Sequence, residues 1–128
     1  MARQLEPQRL IPDPPMHELS IALSIVELAE EEARKANAAS ISKVEVEIGT
    51  MAGIENDALL FAWDSVVQGT MAQQASLVIH SIKGEAHCLE CGKDFPAEHF
   101  FAQCPDCSSF RYQITKGKEL RVSSLIVD

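Results

Sequence analysis

The sequence predicts an α+β fold: two helices with a three-stranded sheet, plus an inserted four-cysteine ribbon module. Three observations carry that expectation. Apolar residues recur at helical spacing after Glu18, they alternate strictly over residues 43–49, and residues 88–107 hold two Cys-x-x-Cys pairs. The chain has 128 residues, of which 46% are hydrophobic and only 5% aromatic, so its core is aliphatic.

Charge narrows the class of function. The formal net charge is −8, with 11 Lys and Arg against 19 Asp and Glu. Nucleic-acid binders neutralise phosphates with a basic face, which scattered cations do not supply. The balance argues against DNA and RNA and suits a protein partner or a cation. No apolar run approaches the ~20 residues of a membrane helix. The N-terminus lacks the charged-then-apolar pattern of a secretory signal, so no membrane and a cytoplasmic location are expected.

Residues 1–15, "MARQLEPQRLIPDPP", contain four prolines and no sustained periodicity. They read as a flexible tail, or as an extension ahead of the natural start. From Glu18 the pattern is helical: Leu19, Ala22, Leu23, Val26, Ala29 and Ala33 form the apolar stripe. Glu27, Glu30, Glu31 and Glu32 read as a solvated face, with Glu30–Arg34 and Glu31–Lys35 as i,i+4 pairs. "KVEVEIG" at 43–49 is a half-buried strand, with Val44, Val46 and Ile48 inward. Gly49 and Gly53 bracket a turn. Asn56 or Asp57 then caps a second helix through "ALLFAWDSVVQ", which Gly69 ends, and Trp63 packs in the core. "SLVIHSI" at 76–82 reads as a second strand, largely buried on both faces. "ELRVSSLIVD" at 119–128 reads as the last strand, with a bulge around Ser123 and Ser124.

The spacing Cys-x2-Cys-x12-Cys-x2-Cys places Cys88, Cys91, Cys104 and Cys107 as two knuckles that close a tetrahedron around one metal. Gly92 supports the first knuckle and Pro105 stiffens the second. Two disulfides are the competing reading and are disfavoured in a cytosolic chain. Zinc is favoured over rubredoxin-like iron, which spacing alone does not exclude. Four sulfurs leave no open position for water, so the module is a structural staple. With one zinc on four thiolates the net charge becomes about −10. His80, alternating with Val78 and Ile82, reads as a core or interface residue. His87 and His99 lie beside the module and offer to orient or exchange with a zinc ligand. No nucleophile–base pair, phosphate loop or open-site metal motif occurs, so no enzyme is expected.

The domain expectation follows: residues 16–86 with 117–128 as one α/β domain, and residues 87–116 as the zinc-ribbon domain. Beyond these spacings, "MHELSIA" at 16–22, "IGTMAGIENDALLFAWDSVVQGT" at 48–70, "CLECG…CPDC" and "GKELRVSSLIVD" together resemble the HypA/HybF family of hydrogenase nickel-incorporation proteins. The likeness covers residues 16–128 in the family's order. It implies a nickel metallochaperone that helps load the large subunit of [NiFe]-hydrogenase, acting with the GTPase HypB. Carried over, structural zinc falls to Cys88, Cys91, Cys104 and Cys107. Transferable nickel falls to Met16, His17 and Glu18, with His17 as the essential ligand, and the α/β domain becomes the nickel-binding one. Nitrogen-rich tetragonal donor sets suit Ni(II).

Two departures from the family pattern matter. Met16 is preceded by fifteen residues, so its nitrogen is an amide joined to Pro15 rather than an amine; a start at Met16 is the expected explanation. Ser108 stands where the family has Gly, which implies strain in the second knuckle. The alternative function is a zinc-ribbon protein-interaction module without metal delivery, limited to protein partners by Glu90, Asp94, Glu98 and Asp106. A rubredoxin-like electron carrier is a third reading.

Overall fold

The alternating run in the middle of the chain sets the architecture. The computed structural model describes residues 1–12, 17–98 and 101–128. Its elements in chain order are β1 (Arg3–Leu5), β2 (Arg9–Leu10), α1 (Glu18–Lys35), β3 (Ile41–Gly49), α2 (Asn56–Val66), β4 (Ser76–Ile82), β5 (Glu85–Cys88), β6 (Asp94–Pro96), β7 (Tyr112–Lys116) and β8 (Leu120–Val127). The chain divides into two compact units. One comprises residues 1–47, 55–80 and 120–128; the other comprises residues 48–54 and 81–119.

The larger unit is built on a sheet ordered β1-β8-β3-β4, with β2 also paired to β8. The three strands expected from the sequence are β3, β4 and β8. On β3, Val44 and Val46 are fully buried and alternate with half-exposed Lys43, Glu45 and Glu47. Helix α1 packs on α2 and on β8. Its buried face is Ile21, Ala22, Ile25, Val26, Leu28, Ala29 and Ala33. Leu19 and Leu23, expected on that stripe, are exposed, because Ile21, Ile25 and Leu28 rotate the buried face away from them. Both expected i,i+4 pairs form, Glu30–Arg34 at 3.5 Å and Glu31–Lys35 at 3.9 Å. The helix ends in a Schellman motif: Asn37 takes a left-handed φ of 56°, Asn37 N–H donates to Arg34 and Ala38 N–H to Ala33.

Trp63 is buried as expected, its indole N–H donating to the Ala75 carbonyl at 3.1 Å. The cap of α2 differs from expectation. Glu55, not Asn56 or Asp57, is the N-cap, its carboxylate accepting from the Asp57 N–H at 3.2 Å. The longer side chain reaches back as an Asp would. Strand β4 also differs: none of its seven residues is buried, because it lies at the sheet edge with β3 on one side only. His80 is accordingly exposed, with Nε2 3.1 Å from the Glu45 carboxylate. A Ser124 hydroxyl bond and then this His80 contact hold the Glu45 carboxyl below the ordinary carboxylate range.

Residues 3–11 are a further difference. Their sequence reads as part of a flexible tail, yet they pair along β8 as β1 and β2, and Ile11 is 4% exposed. Strand β8 runs unbroken through Ser123 and Ser124; the irregularity lies in the segment opposite.

The smaller unit has a three-stranded sheet ordered β6-β5-β7. Its core is small: Ala86, Cys88, Phe95, Ala97 and Cys104, with Tyr112 and Ile114 packed against them. Phe95 and Tyr112 meet edge to face, centroids 6.3 Å apart. At its base, Gly49 N–H donates to Glu119 and Met51 N–H to Gly117. A Cβ on Gly49 would collide with the Gly117 carbonyl, so only glycine fits there. Among the described residues no helix is long and apolar enough to cross a membrane.

Candidate metal centres

The four cysteines converge. Cys88 ends β5, and the following turn returns the chain so that the Gly92 N–H donates to the Cys88 carbonyl at 3.0 Å, with Gly92 at φ 79°. In the second turn the Ser108 N–H donates to the Cys104 carbonyl at 2.9 Å, with Ser108 at φ 61°. The two turns are therefore equivalent. The first has the glycine its geometry favours, and the second forces a Cβ into the left-handed region.

All four Sγ atoms lie within 4.8 Å of one another; Cys88 and Cys107 are 3.5 Å apart, Cys91 and Cys104 3.6 Å. Metal–sulfur bonds of about 2.3 Å in a tetrahedron separate the sulfurs by roughly 3.8 Å, so the cluster is sized for one ion. Cys88 and Cys104 are buried while Cys91 and Cys107 are exposed. Without a cation the crowded sulfurs pull apart in pKa, Cys88 downward and Cys91 and Cys107 upward from the ordinary thiol value. The Cys91 backbone N–H brings Cys88 down to about 6. The Ser109 N–H pulls Cys107 down, but desolvation and the neighbouring sulfurs push it up to about 12. A divalent ion removes that conflict by stabilising every thiolate.

Among the described residues no histidine joins this cluster. The His87 Nδ1 sits 2.7 Å from the carboxylate of Asp94; the imidazole is half-buried and the aspartate exposed. His99 lies outside the described residues.

The second candidate site is the start of α1. Met16 lies outside the described residues; His17 and Glu18 are within them. His17 is the N-cap residue, extended at φ −99° and ψ 139°, and its exposed side chain makes no cap hydrogen bond. Glu18 opens the first turn, where a carboxylate suits the helix dipole. Its Oε2 accepts from the Glu55 backbone N–H at 3.1 Å, and that bond lowers the Glu18 carboxyl below the ordinary carboxylate range. Glu55 was missed by sequence reasoning. It lies 37 residues from Glu18 in the chain, and only the pairing of the starts of α1 and α2 unites them.

Comparison with known proteins places these features. The family model described as "Hydrogenase/urease nickel incorporation, metallochaperone, hypA" matches residues 16–127. The hydrogenase maturation factor HypA of Parabacteroides distasonis is 46% identical over 112 residues, covering 88% of this chain and 97% of that protein. The protein of the same name from Chlorobium luteolum is 42% identical over 113 residues, covering 88% and 97%. Among solved structures, the solution structure of the Ni metallochaperone HypA from Helicobacter pylori is similar, with a TM-score of 0.63 and 31% identity. It matches over 86% of this chain and 96% of that one. A second solution structure of a HypA protein gives 0.68 at 31% identity, covering 90% and 98%.

Proposed function

The chain belongs to the HypA family of hydrogenase/urease nickel-incorporation metallochaperones, and from that premise we propose how it handles two metals. One Zn²⁺ is held by Cys88, Cys91, Cys104 and Cys107 and orders the smaller unit. One Ni²⁺, the cargo, is taken up at the start of α1 by Met16, His17 and Glu18. It is handed on to the large subunit of [NiFe]-hydrogenase with the help of the GTPase HypB. The chain is not an enzyme in this reading, and it works in the cytoplasm.

One observation carries the nickel assignment. Within a family match that begins at residue 16, His17 is an exposed, extended N-cap residue whose side chain is not spent on capping. An imidazole presented this way is a ready Ni(II) donor. The Glu18 carboxylate beside it is ionised and steadied by the Glu55 N–H. Because the Met16 nitrogen is an amide joined to Pro15, imidazole and carboxylate carry more of the site than a free amine would let them.

The test is a Ni(II) titration of the zinc-loaded full chain, wild type and His17→Ala, repeated with HypB present. The expected result is one nickel bound by the wild type, nickel binding lost in His17→Ala, and zinc content the same in both. Undiminished nickel binding by His17→Ala contradicts the assignment. Failure of HypB to form a complex or take up nickel contradicts the hand-off.

A further inference from the structure

Residues 3–11 form a strap along the outer edge of β8. Arg3, Gln4 and Leu5 pair antiparallel with Val127, Ile126 and Leu125, and Arg9 and Leu10 with Val122 and Arg121. The Ile11 N–H continues the ladder to the Leu120 carbonyl at 3.0 Å. From Leu5 to Arg9 the strap advances four residues while β8 advances three. One extra residue must therefore be absorbed, as in a bulge. Gln8 sits in that stretch with a left-handed φ of 49°, and its Nε2 donates to the Ser123 carbonyl at 3.1 Å.

Side chains fasten the strap as well. The Arg9 guanidinium lies 2.6 Å from the Glu32 carboxylate and 3.4 Å from that of Glu31, both on α1. Ile11 is buried. The family match begins only at residue 16, so this strap is an addition to the matched fold.

Removing the strap would expose the edge of an eight-residue, mostly apolar strand. Such an edge is a template for strand addition. The sequence of β8 says what would add to it. Paired antiparallel with its own copy about Ser123 and Ser124, Leu120 faces Val127, Arg121 faces Ile126, Val122 faces Leu125 and Ser123 faces Ser124. Leu120 with Val127 and Val122 with Leu125 are apolar pairs, Arg121 lies opposite Ile126, the two serines meet each other, and no like charges oppose. That is a self-complementary two-fold edge.

We propose that residues 3–11 are an edge lock: they occupy the β8 edge and so keep this chain from pairing through β8 with a second copy. The proposal is independent of the nickel assignment.

The test compares zinc-loaded full chain with a chain lacking residues 2–11, by light scattering over a range of concentrations. The full chain is expected to be monomeric and the shortened chain to dimerise. A synthetic peptide of residues 1–12, added in excess, is expected to return the dimer to monomer. A folded shortened chain that stays monomeric overturns the proposal, as does a full chain that is dimeric with its β1 amides protected from exchange. Should the shortened chain fail to fold, full-length Ile11→Asp decides. Concentration-dependent dimerisation supports the lock; a monomer whose β1 amides exchange freely overturns it.

Discussion

At the cysteine centre four sulfurs close in from two tight turns, two of them buried, and leave no position open. At the start of α1 the proposed nickel donors are few and outward: the His17 side chain is exposed and makes no cap hydrogen bond, and Glu18 accepts from the Glu55 N–H. The contrast concerns rates as much as affinities. A closed thiolate cage must break several bonds before its ion leaves, and its local fold depends on that ion. An exposed imidazole–carboxylate end releases its ion to a competing ligand without disturbing a core. The proposed division of labour, zinc kept and nickel passed on, follows from donor type and burial.

The largest effect that breaks this comparison is loss of the cage. Cys104→Ser removes a buried thiolate from the smaller unit, whose apolar core holds few residues besides. Structural zinc contributes on the order of 10 kcal/mol to such modules. Zinc content is expected to fall to near zero and amides of residues 85–116 to exchange freely, while β3 amides stay protected by the core of Ile21, Ile25, Val44, Val46 and Leu125. Metal analysis with hydrogen exchange checks both. Retained protection across residues 85–116 would mean the metal is not the staple.

A smaller effect sharpens the comparison inside the cage. Gly92 and Ser108 occupy equivalent left-handed positions after the second and fourth cysteines. Left-handed backbone costs a non-glycine residue about 1–2 kcal/mol. Ser108→Gly is therefore expected to stabilise the zinc-loaded protein by about 1 kcal/mol, and Gly92→Ala to destabilise it by a similar amount. Denaturant midpoints at fixed zinc check the two signs. Midpoints shifted the same way by both substitutions would refute the equivalence.

How much of this was legible in the sequence differs by region. The cysteine centre was readable because its geometry is local: each knuckle spans four residues, and the x2 spacing dictates the turn. The same holds for β3, whose alternation is set by one residue after another. Ser108 could be singled out for the same reason, and its positive φ is what a turn of that kind requires. Features that depend on partners distant in sequence were not readable. The strap has two short strands and no periodicity, and is held by β8 more than a hundred residues later. The exposure of β4 follows from its place at the sheet edge, not from "SLVIHSI", which would suit a central strand equally well. The rotation that exposes Leu19 and Leu23 depends on which of two overlapping stripes meets the sheet. The Glu18 to Glu55 bond joins two helix starts that no local pattern links.

The smallest effect concerns Glu18 with no nickel present. Its carboxyl is lowered chiefly because the Glu55 N–H donates to the ionised form. A lowered folded value means stability present above the ordinary carboxylate range and lost as pH falls through the folded value. Because the pair is near the surface, the contribution is expected to stay below about 1 kcal/mol. Glu18→Gln should therefore be slightly less stable than wild type at neutral pH, with the gap closing in acid. Urea midpoints across pH 2 to 7 check this; a gap that widens in acid contradicts it.

The central claim, that one metal is kept and one is given, is tested most directly by loading the full chain with zinc and nickel and adding a competing chelator at neutral pH. Both metals are followed with time. The account predicts that nickel leaves first and completely while zinc remains on the cysteines, and that His17→Ala never loads the nickel. Nickel and zinc leaving together, or nickel persisting in His17→Ala by displacing zinc from the cysteines, would contradict it.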